Sequence, residues 1–106
     1  AILSLAWFKY ALNDQTAYRF ARWAKNVWSV DPALNDMDAA REGIRRYEAF
    51  MEELGVPTRL SQSKLEVSQE LVAQFADEVW ERVDASTWFQ PLEDKQELLD
   101  FMMLAW

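Results

Sequence analysis

Residues 35–57 read NDMDAAREGIRRYEAFMEELGVP, and how they are read decides the fold. Asn35 or Asp36 can cap a helix here, because a short polar side chain accepts hydrogen bonds from the free N–H groups of a first turn. Ala40, Ile44, Tyr47, Met51 and Leu54 then recur at the three-to-four spacing that gathers apolar residues on one helix face. The charged residues between them fall mostly off that stripe, with Glu42 and Arg46 placed for an i, i+4 ion pair worth ~0.3 kcal/mol. Gly55 suits the C′ position, where it takes positive φ without a Cβ clash, and Pro57 cannot continue the helix. A long amphipathic helix with both ends marked predicts a helical protein.

The flanking sequence repeats the pattern. Ile2, Leu3, Leu5, Ala6, Trp7 and Phe8 make a first helix that is apolar nearly all round, as in a helix enclosed by protein. Asn13 and Asp14 interrupt it and offer the next N-cap, for a second helix from about Gln15 to Trp28 with Ala17, Phe20, Ala21, Ala24 and Trp28 inward. Asp31-Pro32 breaks that run. Further on, Ser68 is an N-cap with Val67 and Val72 spaced as a hydrophobic staple, and Val72, Phe75, Ala76, Val79 and Val83 form a fourth stripe. DASTWFQP (84–91) reads as a loop with buried aromatics. Pro91 suits the first turn of a last helix, with Glu93 and Asp94 near its positive end and Leu98, Leu99, Met102, Met103 and Trp106 inward. The expectation is an all-α chain, one compact domain of about five helices spanning residues 1–106.

Composition agrees and excludes several functions. The 106 residues suit one core. Hydrophobic residues make up 51% against only two Gly and three Pro, which disfavours disorder and turn-rich sheet folds. A formal charge of -7 argues against nucleic-acid or anionic-membrane partners. Arg19, Arg22 and Lys25 repeat at helical spacing and read as a solvated face, since no glycine-rich loop stands ready to present N–H groups to phosphate. The absence of cysteine removes disulfides and thiolate ligands and fits a cytoplasmic location. AILSLAWF is too short to span a bilayer, is interrupted by Lys9, and lacks a signal-peptide pattern.

Residues able to do chemistry are few. Ser61 and Lys64 match the S-x-x-K spacing of penicillin-recognising enzymes, without the K-T-G or S-D-N that accompanies it, and read as a polar loop. Asp31, Asn35 and Glu42 fall at positions 1, 5 and 12 of a calcium loop, but Asp36 stands where its glycine belongs. Carboxylate pairs such as Glu48 with Glu52, or Asp77 with Glu81, are neighbours on exposed faces, and no cleft is legible that would bring a general acid toward neutrality. The tryptophans at 7, 23, 28, 80, 88 and 106 could cage a quaternary ammonium, but core packing explains them better. No catalytic, cofactor-binding or metal-binding residue emerges.

AILSLAWFKY (1–10), RFARWAKNVWSVD (19–31), FMEELGVPTRLS (50–61) and PLEDKQELLDFMMLAW (91–106) together resemble, in order and spacing, the C-terminal helical domain of the iron-containing (metal-dependent) alcohol dehydrogenases. NVWSV and LGVPTRLS look most like the butanol-dehydrogenase branch. The resemblance implies a two-domain parent whose α/β half binds NAD(P)H, with a divalent iron or zinc polarising the alcohol or aldehyde oxygen during hydride transfer. It implies that the metal is held by an aspartate and three histidines, the last in a His-Gly motif just ahead of the segment that AILSLAWFKY matches. On that reading this chain is a fragment without the nucleotide-binding domain, non-catalytic, with a structural packing role and no cofactor of its own. A homodimer through the apolar first helix is expected. The alternative is a stand-alone helical module that recruits a protein partner through exposed aromatic surface, and a small enzyme built on carboxylates alone has no constellation to support it.

Overall fold

The structure is a computed structural model that describes residues 2–63 and 66–106. Its five helices are α1 (Ile2–Ala11), α2 (Ala17–Val27), α3 (Asp36–Glu53), α4 (Gln69–Arg82) and α5 (Lys95–Leu104), with single 3₁₀ turns at Leu60–Gln62 and Ala85–Thr87 and no strand among the described residues. All-α architecture is therefore observed.

Local chemistry sets the helix ends. The Asn35 side chain caps α3 by accepting from Asp38 N at 2.9 Å, and Ser68 caps α4 by accepting from Leu71 N at 3.1 Å. Gly55 ends α3 at φ +75°, with its own N–H donating to Glu52 O and the Val56 N–H to Met51 O, the two bonds of a Schellman motif. At the start of α2, Asn13 accepts from the N–H groups of Gln15 and Thr16 through its side chain and from Ala17 N through its carbonyl, so it caps the turn leading into the helix.

The end of α2 falls where expected, near Trp28, and the start of the last helix does not fall at Pro91. α2 stops before Asp31-Pro32, at Ser29, which stands at φ 54°, outside the comfort of a residue with a Cβ. Pro91 does not enter the last helix. Leu92 is buried and donates its N–H to Ala85 O at 3.0 Å, which keeps this stretch non-helical, and Asp94 caps α5 by accepting from Glu97 N. Glu97 in turn accepts from Glu93 N at 2.7 Å, tightening the same entry.

The principal helix contacts run in the succession α2–α3–α1–α5–α4, so the apolar α1 lies in the middle of the row. It joins two cores. Ala6 packs with Val72, Leu92, Leu98, Phe101 and Met102, while Leu5 and Ala11 pack with Phe20, Ala40 and Ile44. A third cluster, Ala21, Ala24, Val30 and Ala39, seals α2 against α3. The domain is a slab of 43 × 33 × 15 Å. Its Cα radius of gyration, 14.9 Å, exceeds the ~13 Å of a rounder domain of this length. Its accessible surface, 6924 Å², exceeds the roughly 6200 Å² usual at this mass.

Such flatness limits how far each stripe is covered. Leu54, Phe75 and Val83, all placed inward by their spacing, stand 59, 41 and 43% exposed. Gly43, which the spacing passes over, is at the tightest point of the α2–α3 crossing, where a Cβ would come within 2.4 Å of Ala24 Cβ.

The stretch after the α3 stop holds the end of the chain. Leu60 N–H donates to Ala105 O at 2.6 Å and Ser61 N–H to Trp106 O at 2.9 Å, satisfying carbonyls that the end of α5 leaves without helical partners. Trp106 Nε1 returns a bond to Val67 O. LGVPTRLS is thus both a helix stop and a clasp on α5.

Candidate functional site

The most developed surface feature is an aromatic face centred on Trp7 of α1. Helical spacing points Trp7 and Phe8 to the two sides of α1. Trp7 meets Trp88 edge-on with centroids 5.5 Å apart and Phe101 at 5.0 Å, and stacks on Tyr10 at 6.2 Å. Phe8 meets Phe20, Trp23 and Tyr47 at 5.6, 5.3 and 5.7 Å. Ser4 and Tyr47 share a hydroxyl hydrogen bond of 3.1 Å beneath them.

Phe89 completes the face from the loop before α5. The Asp84 side chain accepts from Ser86 N to start the Ala85–Thr87 turn, and Asn13 Nδ2 donates to Gln90 Oε1 at 2.7 Å, tying the loop to the α1–α2 corner. Phe89 is left 45% exposed, with its ring 6.5 Å from Phe20 and the Arg19 guanidinium 4.8 Å above it. A hollow of about 410 Å³ lies between Leu3, Ser4, Trp7, Trp88, Phe89 and Phe101. Another of about 250 Å³ lies between Trp7, Phe8, Arg19, Phe20, Trp23 and Phe89. Trp7 and Phe89 are common to both. The loop's aromatics are thus divided, Trp88 half-buried and Phe89 exposed, whereas the sequence reading placed both inside.

This surface is mainly aromatic and suited to packing. Burial first, and then the carboxylates of Glu97, Asp100 and Asp94, push the Tyr10 phenol up from its ordinary pKa, so it remains protonated at neutral pH. Away from the face, hydrogen bonds from Arg45 and then Arg46 pull Glu42 down to about 2. Its oxygens receive Arg45 Nη2 at 2.6 Å and Arg46 Nε at 2.9 Å, so the expected pair with Arg46 forms and is joined by a second arginine. Glu42 in turn raises the Arg45 pKa, through its hydrogen bond first.

The structure does not assemble the other candidate constellations. Of the calcium-loop set, Asp31 accepts from Ala33 N, Asn35 caps α3 and Glu42 is held by arginines, so each is engaged in a different local bond. Ser61 sits in the turn that clasps α5, and Lys64 lies outside the described residues. The tryptophans divide between cores, with Trp7, Trp80, Trp88 and Trp106 against α4–α5 and Trp23 and Trp28 against α2–α3. Of the basic set, Arg19 lies on Phe89 and Lys25 Nζ donates to Leu34 O, while Arg22 lines an open groove along α2.

The metal implied by the resemblance does not fit these residues. The chain has no imidazole or thiolate to donate, and no group of three or more acidic residues among the described residues converges as a ligand set. Its two glycines serve a helix crossing and a helix stop, not a phosphate loop. No described helix is long and apolar enough to cross a membrane.

Sequence reasoning missed Gly43 and Phe89. A glycine inside a strong helical pattern was the available signal for the first. Nothing local marked Phe89, whose place depends on the remote bond between Asn13 and Gln90.

Comparison with known proteins gives the chain its relatives. It is 37% identical over 60 residues to NADH-dependent butanol dehydrogenase A of Clostridium acetobutylicum, and 39% identical over 61 residues to NADH-dependent butanol dehydrogenase B of the same organism. Each alignment covers 57% of this chain. It is also 36% identical to probable NADH-dependent butanol dehydrogenase 2 of Bacillus subtilis, over 78 residues and 72% of the chain. The aligned stretches span 15 to 20% of the lengths of these relatives. No family model and no solved structure matches. The chain is therefore related to the iron-containing alcohol dehydrogenase family, in its butanol-dehydrogenase branch.

Proposed function

We propose that this chain is the C-terminal helical domain of a metal-dependent, NAD(P)-linked alcohol dehydrogenase, in which it supplies packing surface and no catalytic group. Hydride transfer between alcohol or aldehyde and nicotinamide, the divalent iron or zinc and the nucleotide site belong, on this reading, to the remainder of such an enzyme. The observation that carries it is the 36–39% identity to NADH-dependent butanol dehydrogenases over 60 to 78 residues. The aromatic face around Trp7 supports the packing role, because half-exposed rings on a slab 15 Å thick are surface suited to burial against another body of protein. The cytosol is the proposed location.

The test is an assay of the purified chain for NADH oxidation with butanal, with iron or zinc added, beside calorimetric titration of each metal. No turnover and no tight metal uptake are expected. Turnover, or a stoichiometric submicromolar metal site, would sink the reading.

In isolation the same face is the proposed seat of a homodimer through α1. Leu3, 52% exposed beside the larger hollow, is the residue to change. Leu3→Lys is expected to shift a dimer to monomer in light scattering, and a monomeric parent chain at high concentration would contradict the proposal.

A further inference from the structure

Charge is distributed unevenly along the row of helices. Residues 1–63 hold eight acidic and eight basic side chains, whereas residues 64–106 hold ten acidic and three basic, so the whole formal charge of -7 arises in the second part. The two helices at the ends of the contact succession are opposite in charge, and although α3 is also acidic, at -3, its Glu42 and Glu48 are already held by Arg45, Arg46 and Lys9. α2 carries Arg19, Arg22 and Lys25 and no acid, a charge of +3. α4 carries Glu70, Asp77, Glu78 and Glu81 against Arg82 alone, a charge of -3.

Ion pairs among the described residues leave most of both sets unmatched. No ion pair joins Arg19, Arg22 or Lys25 to a carboxylate among the described residues, and on α4 only Asp77 has a cation, Lys95 at 3.0 Å. Both helices also expose apolar side chains beside their charges. Tyr18 and Val27 of α2 are 55 and 60% exposed at the two ends of the groove that Arg19 and Arg22 line, and Phe75 of α4 is 41% exposed one turn from Glu78. At 1.5 Å per residue α2 is about 16 Å long and α4 about 21 Å, so one can cover the other.

We propose that the α2 face of one copy docks on the α4 face of a second copy. The contact is heterologous, joining different surfaces of the two molecules, so each pairing leaves an α2 face at one end and an α4 face at the other, and association continues to open chains. It shares Arg19 with the edge of the aromatic face and differs from the α1 dimer in what drives it: charge holds it and salt weakens it, whereas an apolar contact does not loosen with salt.

Sedimentation velocity of the 106-residue chain over a range of concentrations tests it. Species larger than a dimer are expected at about 10 mM salt, where the Debye length is ~30 Å, with association at least tenfold weaker at about 150 mM, where it is ~8 Å. Arg19→Glu with Arg22→Glu should abolish the large species. Glu78→Lys with Glu81→Lys should do the same, and mixing the two variants should restore association, since each then presents the complement of the other. Circular dichroism on both variants checks that these exposed changes leave the helices intact. A monomer at low salt, a salt-insensitive oligomer, or a pair of variants that associate as the parent does would each overturn the proposal. An oligomer dissolved by Leu3→Lys but indifferent to these charge reversals would overturn it while leaving the α1 dimer standing.

Discussion

The two helix pairs of this slab are held together in opposite ways. α2 and α3 approach closely where Ala21, Ala24, Ala39 and Gly43 meet, so the closest part of their seam consists of backbone and methyl groups, flanked by the rings of Trp23, Trp28 and Tyr47. α4 and α5 meet through Val72, Leu98, Phe101 and Met102, with Leu92 buried beside them, and their seam consists of side-chain bulk. One pair can be broken by adding atoms and the other by removing them. α1 belongs to both, which is why it is apolar on more than one side.

The harshest test of the contrast falls on the α4–α5 side. Leu98 is 1% exposed, and Leu98→Ala leaves a cavity that its neighbours fill only in part. A loss of about 3 kcal/mol is expected in urea unfolding. The corresponding change on the other side is an enlargement. In Gly43→Ala the new Cβ lies 2.4 Å from Ala24 Cβ and 3.1 Å from Ala24 Cα, so one helix must move. Overpacking of this kind costs about 1–3 kcal/mol, against roughly 1 kcal/mol returned by better helix propensity, and a net loss of up to about 2 kcal/mol is expected. Gly43→Ala proving stabilising would mean that the α2–α3 seam is looser than its distances show.

The same contrast explains what could be read in advance. Caps are local, and Asn35, Ser68 and Gly55 declared themselves because each acts on the first or last turn of its own helix. Burial is not local. Leu54 lies on the stripe of Ile44 and Tyr47, but it follows the last turn of α3 and nothing in the slab reaches over it. Phe75 has the spacing of an inward residue, yet α4 is the last helix in the row and buries only Val72 and Ala76. Pro91 and Asp94 offered competing starts for α5. The Asp94 side-chain bond prevailed because the intervening Leu92 is drawn into the core. The aromatic face was legible only as a count of rings, since its shape depends on which loop residue crosses α1.

Helix stops give a smaller test of how far the α2–α3 side depends on backbone geometry. α2 and α3 both end on a residue of positive φ, Ser29 at 54° and Gly55 at 75°. Ser29→Gly relieves a Cβ that the left-handed region disfavours and is expected to add about 1 kcal/mol, less the entropy glycine gains on unfolding. Gly55→Ala introduces the same penalty and should remove about 1 kcal/mol, although nothing lies within 4 Å of the new methyl. Opposite signs in thermal melts are the expected result. A loss in both would show that Ser29 is held by more than its dihedral angle.

The smallest effect concerns charge on the same side of the molecule. Glu42 has its pKa lowered from 4.5 to about 2 by Arg45 and then Arg46, so folding favours its ionised form. A carboxylate shifted downward contributes stability that is complete above its unfolded pKa and is lost as pH falls through its folded one. Glu42 should therefore support the fold fully above pH 4.5 and lose that contribution between pH 4.5 and about 2. Comparing the parent chain with Glu42→Gln isolates it, because every other carboxylate titrates in both. Their difference in melting temperature should be steady at neutral pH, shrink through that window and vanish near its lower end. Added salt should reduce the neutral-pH difference, since Arg45 is well exposed and its share of the pair is screened. A difference that stayed constant down to pH 2 would place the effect of the substitution in side-chain packing along α3, and the arginine clamp would then count for nothing in the stability of the α2–α3 pair.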